Sequence, residues 1–368
     1  MLVRRLDLGA ADGWIFWDPS EAYDYCYGGT RLVAPEASDE EAVKYGLRLA
    51  THESGPKNKL INDFLASSQE LEEWPNGLSK SRVGPGRCVI RPKTNAFCWE
   101  TPNHEKNKLL SNLGDALNEL DGRLKLTPDF GRYSSIADEL YQSSKHVLGV
   151  SSRHGGGGAK SAFTVTGLMQ VLDSLGLLQI EVNEISVIGS AGSMGSIIVS
   201  KLMERGISVA NTSDLIVPSE EQTHSRHFIL GTIGTLAPLI LEGGGIIITA
   251  TWGGELAASD LSIIPPGSVL LPVHNLAFPS GNLGDEIVAG LLDRGIEVFP
   301  SQLLTFGGAA GCRYEWFSRK EGNAVLHKPG VHEFIKSVAK FSTERLLEYW
   351  NKCTKAEKIR SIITGNIP

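Results

Sequence analysis

The sequence predicts an α/β protein of two domains, an N-terminal α/β domain followed by a doubly wound parallel sheet. Three observations predict it. The chain has 368 residues, and domains run at about 150 residues each. Hydrophobic residues make up 41% and charged residues 21%, enough apolar material for each half to bury a core. From Glu184 onward, short apolar runs at 185–188, 207–210, 246–250, 269–273 and 297–299 alternate with helix-like stretches. That alternation is the mark of parallel strands covered on both faces.

In the first half, Ser38-Asp39-Glu40-Glu41 has capping-box spacing, and the helix it opens carries Ala42, Val43, Leu47, Leu49 and Ala50. Gly55-Pro56 is expected to stop that helix. The stretch 62–81 is polar, turns at Pro75-Asn76-Gly77, and reads as an inserted loop. Leu109, Leu110, Leu113, Leu117 and Leu120 line one face of a second helix that ends at Gly122. Gly155 to Gly158 form a tetraglycine, either a hinge between domains or a close approach of backbone to ligand. A helix follows over 161–175, closed by Gly176. The apolar stretch 228–252 is broken by Pro238, Glu242 and Gly243-Gly244-Gly245, which predicts a buried helix and a buried strand instead of a membrane span. The expected boundaries are 1–150 for the first domain and 151–318 for the second. The helices of 319–368, including 331–350, are expected to pack back across the cleft.

The net charge of −7 speaks against nucleic acid or an anionic membrane as partner, since both need a basic face. The five cysteines, Cys26, Cys88, Cys98, Cys312 and Cys353, are scattered and never spaced Cys-x-x-Cys. Neither a disulfide framework nor a metal site is expected from them. The first residues carry no apolar run of signal-peptide length. A soluble, cytoplasmic protein is the expectation.

The strand at 185–188 leads directly into Gly189-Ser190-Ala191-Gly192-Ser193-Met194-Gly195 and then a helix. A glycine turn there lets backbone lie against a pyrophosphate, with free N–H groups and the positive helix end facing the anion. The motif thus predicts a Rossmann domain holding NADP or NAD through Gly189, Ser190, Ala191, Gly192, Ser193 and Met194. At the end of the second strand, Asn211, Thr212 and Ser213 stand where NAD-preferring domains place an acid. Asp214 comes one residue later. Small polar groups tolerate a 2′-phosphate, with Arg226 or His224 as its partners, so the reading leans to NADP. Strand carboxyl ends carry ligands in such sheets, which marks Thr251 and Asn275 as further cofactor contacts. Trp252 reads as packing, and His154 as a hinge histidine in solvent.

Several blocks resemble, in order, the leucine, phenylalanine, valine and glutamate dehydrogenase family of amino-acid dehydrogenases. They are Gly28-Gly29-Thr30-Arg31, Leu47-Arg48-Leu49-Ala50, Pro56-Lys57-Asn58, Val83-Gly84-Pro85-Gly86-Arg87-Cys88-Val89-Ile90, Leu126-Thr127-Pro128-Asp129-Phe130-Gly131, Thr164-Val165-Thr166-Gly167, and Gly295-Ile296-Glu297-Val298-Phe299-Pro300 running on to Gly307-Gly308-Ala309. The resemblance implies hydride transfer between nicotinamide and the α-carbon of an amino or imino acid. It gives Lys57 the substrate carboxylate, with Gly29 beside it, and Asp129 the protons on the substrate nitrogen. Thr164 and Thr305 fall in cofactor-binding blocks, Thr305 where the family has asparagine. The substrate is implied to be an amino acid, imino acid or 2-oxo acid, and the assembly a homo-oligomer, a dimer or higher.

Arg87 stands where the family carries its water-activating lysine. A guanidinium does not deprotonate in proteins, although it grips a carboxylate with two hydrogen bonds. Lys57 or Lys80 then supplies the base while Arg87 binds carboxylate; or the substrate is a preformed imine; or the protein binds cofactor without turnover, in a regulatory role.

Overall fold

In the computed structural model the residues described are all except 69–73, 96, 98, 100–102, 129–135, 159, 179–183, 218–224, 233–235 and 252–257. Contacts divide the chain into two units, Met1–Lys160 with Ala309–Phe334, and Ser161–Gly308 with Ile335–Pro368. The C-terminal stretch 319–368 is therefore shared between the units at Phe334.

The first unit holds β1 (Leu2–Asp7), β2 (Ala11–Trp17), β3 (Tyr25–Leu32), α1 (Asp39–Leu49), a π-helical turn (Ala50–Ser54), α2 (Gly55–Ser67), β4 (Val83–Pro92), α3 (His104–Glu119), β5 (Leu124–Thr127) and α4 (Ile136–Ser143). Its five strands run in the order β1-β2-β4-β3-β5. The β1–β2 and β2–β4 pairs are antiparallel, while β3 is parallel to β4 and β5. Strand alternation sends Ile15, Cys88 and Ile90 to one face, against Leu109, Leu113 and Leu117 of α3 and Leu140 of α4. Trp14, Phe16 and Val89 take the other face, with Ala42 and Ala50. Ser38 and Glu41 form the expected capping box of α1.

Gly55-Pro56 does not stop that helix, as its composition led us to expect. Leu49, Ala50, Ser54 and Gly55 all keep right-handed helical dihedrals, and the chain runs through the π turn into α2. Pro56 falls in the first turn of α2, where its missing N–H is no loss. The first part of the expected 62–81 loop is helical as far as Ser67.

The second unit contains α5 (Ser161–Ser174), β6 (Ile185–Ile188), α6 (Gly195–Glu204), β7 (Val209–Asp214), β8 (His227–Leu230), α7 (Pro238–Gly243), β9 (Ile246–Thr249), α8 (Ala258–Leu261), β10 (Val269–Pro272), α9 (Asn282–Asp293), β11 (Glu297–Val298) and α10 (Ser301–Thr305). The strand order is β11-β10-β9-β6-β7-β8, every pair parallel. This is the doubly wound order whose direction reverses between its first and fourth strands, β6 and β9, opening a crevice at their carboxyl ends. Ile188, Ile247, Leu270 and Val298 bury against Ile240, Leu241, Val288 and Leu291. Pro238 opens α7 instead of interrupting it.

The remaining helices are α11 (Gly307–Lys320), α12 (Lys328–Trp350) and α13 (Lys355–Thr364). Within the first unit, Glu315 of α11 accepts the amides of Gly149, Val150 and Gly157 at 3.0, 3.4 and 3.1 Å. The tetraglycine is thus tied down, and a Cβ on Gly156 would stand 2.1 Å from the Val150 carbonyl oxygen. The backbone approach expected there is to the chain itself. His154 packs on the Tyr141 ring, 5.0 Å between centroids. No helix among the described residues is long and apolar enough to cross a membrane.

Candidate active site

In the first unit, β3, the π turn, α2 and β4 bring five functional side chains together. Asn58 pins α2 to the sheet by donating to the carbonyls of Tyr27 and Gly84 at 3.1 and 2.8 Å. Asn62 does the same one turn on, bonding both the N–H and the carbonyl of Val83. The preceding residue, Lys57, is thereby held on the sheet face. It is buried, with its Nζ 2.9 Å from the Glu53 carboxylate, which has no exposed surface. Burial pushes the Lys57 ammonium below its usual pKa; Glu53 opposes that shift, and Arg87 and Arg31 reinforce it.

Arg87 is buried on β4 and its Nη1 lies 3.4 Å from Ser54 Oγ. A Cβ on Gly29 would stand 3.2 Å from the same Nη1, and one on Gly28 would meet the Gly86 carbonyl oxygen at 1.7 Å. Gly28 is therefore a spatial requirement of the site, while a side chain at Gly29 would press on the Arg87 guanidinium. Arg31, two residues beyond Gly29, presents a third cation from the same strand face. Arg31 and Arg87 both act on the Lys57 amine, which is paired with Glu53. Lys80, the other candidate base, is exposed on the approach to β4. Asp129 lies outside the described residues.

In the second unit, the turn after β6 fits a dinucleotide. Gly189 has φ +86°, and a Cβ there would meet the Ala250 carbonyl oxygen at 2.5 Å. A Cβ on Gly195 would meet the Gly189 oxygen at 2.0 Å. Gly192 and Ser193 are exposed. Met194 caps α6 without a side-chain hydrogen bond, and the Ser196 amide in the first turn donates to the Gly192 carbonyl at 3.0 Å. The Ser213 carbonyl accepts from the amides of Gly189 and Ser190 and from Ser190 Oγ at 2.7, 3.1 and 3.3 Å, which fixes the start of the turn. Thr251, just past β9, keeps a buried hydroxyl without a protein partner beside Gly189.

The end of β7 differs from its reading in sequence. Asn211 donates to Ser186 Oγ at 3.2 Å, Thr212 bonds Ser225 at 2.6 Å, and Ser213 is buried. These three belong to the sheet. Asp214 is the residue at the turn: its Oδ2 accepts the Ala191 amide at 2.8 Å and its Oδ1 the Leu215 amide at 2.7 Å. Arg226 instead lies at the amino end of β7, its amide on the Val209 carbonyl and its side chain on Ser208 and Glu184. His224 and Trp252 are outside the described residues.

Asn275 follows β10 and is half-buried, next to Leu276 at φ +52°. Strain of that kind, on a branched residue, clusters at functional loops. Thr305 Oγ1 donates back to the Ser301 carbonyl at 2.6 Å. Thr164 is buried on α5, where a Cβ on Gly307 would stand 3.0 Å from its Cα. Glu53, Arg31, Asn58 and Asp214 were not singled out in sequence. The available signal for Glu53 was its i, i+4 spacing to Lys57.

No protein-family model and no curated protein matches the chain. Solved structures do. The chain is similar to an L-tryptophan dehydrogenase from Nostoc punctiforme, with TM-score 0.65 and 16% identity over 100% of this chain and 95% of that one. It is similar to a hetero-hexameric glutamate dehydrogenase from Thermus thermophilus, in its leucine-bound form, with TM-score 0.70 and 16% identity over 99% and 86%. A glutamate dehydrogenase from Peptoniphilus asaccharolyticus gives 0.64 and 16% over 100% and 88%. The fold is that of the amino-acid dehydrogenases, as the order of the sequence blocks implied.

Proposed function

We propose that the protein is an NAD-dependent oxidoreductase of amino-acid dehydrogenase type, interconverting an L-amino acid and its 2-oxo acid. The observation that carries this reading is the cluster of buried Arg87, Lys57 and Glu53 with half-buried Arg31. A nicotinamide held at the glycine turn would supply the acceptor for the α-hydrogen as hydride. Arg87, with Arg31 beside it, holds the substrate carboxylate by paired charge-assisted hydrogen bonds. Lys57 acts as the base that Arg87 cannot be: burial, Arg87 and Arg31 lower its pKa, which favours the neutral amine a base must present. It takes a proton from the water that adds to the imino carbon, and ammonia leaves as the 2-oxo acid forms. Asp129, by its resemblance, exchanges protons with the substrate nitrogen.

NAD is proposed over NADP, against the lean taken from sequence. A fixed carboxylate at the end of β7 suits ribose hydroxyls and repels a 2′-phosphate, and Arg226 is at the other end of the strand. Absorbance at the reduced-nicotinamide band, with NAD and NADP against a panel of L-amino acids, tests the reading. Turnover with NAD is expected; a panel wholly silent with both coenzymes would overturn it and favour the binding protein without turnover.

A further inference from the structure

The buried stripe of α1, the π turn and α2 is filled by Ala42, Gly46, Leu49, Ala50, Ile61, Phe64 and Leu65. Glu53 and Lys57 occupy successive positions on that stripe, where packing calls for apolar side chains. Glu53 is wholly buried and sits 2.9 Å from Lys57 Nζ. Replacing a buried ion pair with well-packed apolar residues is often neutral or stabilising. Its presence here is a departure from the local packing rule, and such departures collect at functional sites. The π turn that carries Glu53 is a second departure of that kind.

We propose that Glu53 is the positioning residue of this site, fixing the place of the Lys57 amine and governing when it gives up its proton. The inference rests on the reading of Lys57 as the base. Without Glu53 the remaining influences on Lys57, namely burial, Arg87 and Arg31, all lower its pKa, and the ion pair that fixes its amine is gone. The Glu53 carboxylate holds the amine by a direct ion pair and keeps its proton to a higher pH. The groups that face the pair are Arg48 on α1, His52 on the π turn, Arg87 on β4 and Arg31 on β3. All four are bases, so Glu53 is the acid among the described residues that counters them at Lys57. Arrangement and chemistry agree: with arginine in place of the family's lysine, proton transfer falls to one amine, and that amine has its own counter-ion.

The test is competitive carbamoylation by cyanate, which reacts with neutral amines, read by mass spectrometry at Lys57 relative to exposed Lys80 from pH 6 to 10. It uses the full-length protein and needs no turnover. Glu53→Gln is expected to raise relative labelling of Lys57 by about tenfold near pH 7.5, the factor that one pKa unit gives. Glu53→Asp, whose carboxylate is set back by a methylene, falls between the two. Labelling ratios unchanged in both variants overturn the proposal. If the glutamine variant does not fold, the aspartate variant decides alone, and an unmoved ratio is again fatal. Where the wild type turns over, the rising limb of kcat/KM with pH moves to lower pH in Glu53→Gln, and a fixed limb counts against Glu53. If the amino-acid panel is silent while labelling still shifts, the proposed function fails and the Glu53–Lys57 coupling stands.

Discussion

Arg87 and Asp214 each settle by charge what their neighbours must do. Truncating Arg87 to Met removes charge-assisted hydrogen bonds of about 1.5–3 kcal/mol to the substrate carboxylate. KM for the amino acid is expected to rise roughly 10- to 100-fold on that scale, with NAD affinity unchanged. Equal loss of NAD binding, followed by fluorescence titration, would contradict the assignment. Replacing Asp214 by Ala removes the carboxylate from the nucleotide turn. The NADP-to-NAD ratio of kcat/KM is expected to rise by about tenfold, the equivalent of about 1.4 kcal/mol; an unmoved ratio would put the coenzyme choice elsewhere. A third residue, Lys125, tests electrostatics away from the site. Its Nζ lies 4.2 and 4.1 Å from the ring centres of Tyr25 and Trp316. Burial, then Lys320 and Arg319, lowers its pKa to about 8. Between that value and the unfolded one near 10.4, the unfolded chain binds more protons, so stability rises with pH through the window. The cost of the buried ammonium is felt in full below about 8. Wild type is expected to gain up to about 3 kcal/mol from pH 8 to 10.4 that Lys125→Met lacks. Parallel pH dependence in urea unfolding would refute the shift.

At the scale of elements, the glycine turn makes the sharpest prediction. Gly189→Ala forces a side chain to φ +86° and into the Ala250 carbonyl, a strain of about 1–3 kcal/mol. It is expected to lower the unfolding midpoint and abolish NAD binding. Gly206→Ala, at φ +74° with open space around it, is expected to cost about 1 kcal/mol and leave NAD binding intact. Similar NAD affinity in both variants would contradict the role of the turn. These elements were unevenly legible. The strand at Ile185–Ile188 is a mostly apolar run followed directly by glycine, and sequence placed it to the residue. The next strand was read at 207–210 but runs Val209–Asp214. Its last four residues are Asn-Thr-Ser-Asp, whose backbone pairs in the sheet without an apolar signal. That displacement is why Asp214 was taken to lie too far along. The edge strand β8 was missed because half its residues are exposed. The π turn could not be read at all, since Gly55-Pro56 carries the punctuation of a helix stop and of a helix start alike.

For the molecule as a whole, the order and spacing of short blocks made the fold readable at an identity of 16% to solved relatives. The composition of the site was less readable. Lys57 and Arg87 were singled out by resemblance, whereas Glu53 and Arg31 come beside Lys57 only once β3, β4 and the helical run are folded together. Assembly is proposed as homo-oligomeric. Edge strand β1 leaves Leu2 and Val3 exposed, and light scattering should report a multiple of the chain mass; a monomer at micromolar concentration would contradict it. The most direct test of the central claim is isotopic: incubation with NAD and α-deuterated L-amino acids, followed by mass analysis of the dinucleotide. Transfer of one deuterium to the reduced coenzyme is the result predicted. Undeuterated, unreduced NAD recovered from a protein that binds it would contradict the claim that this fold still carries out the chemistry.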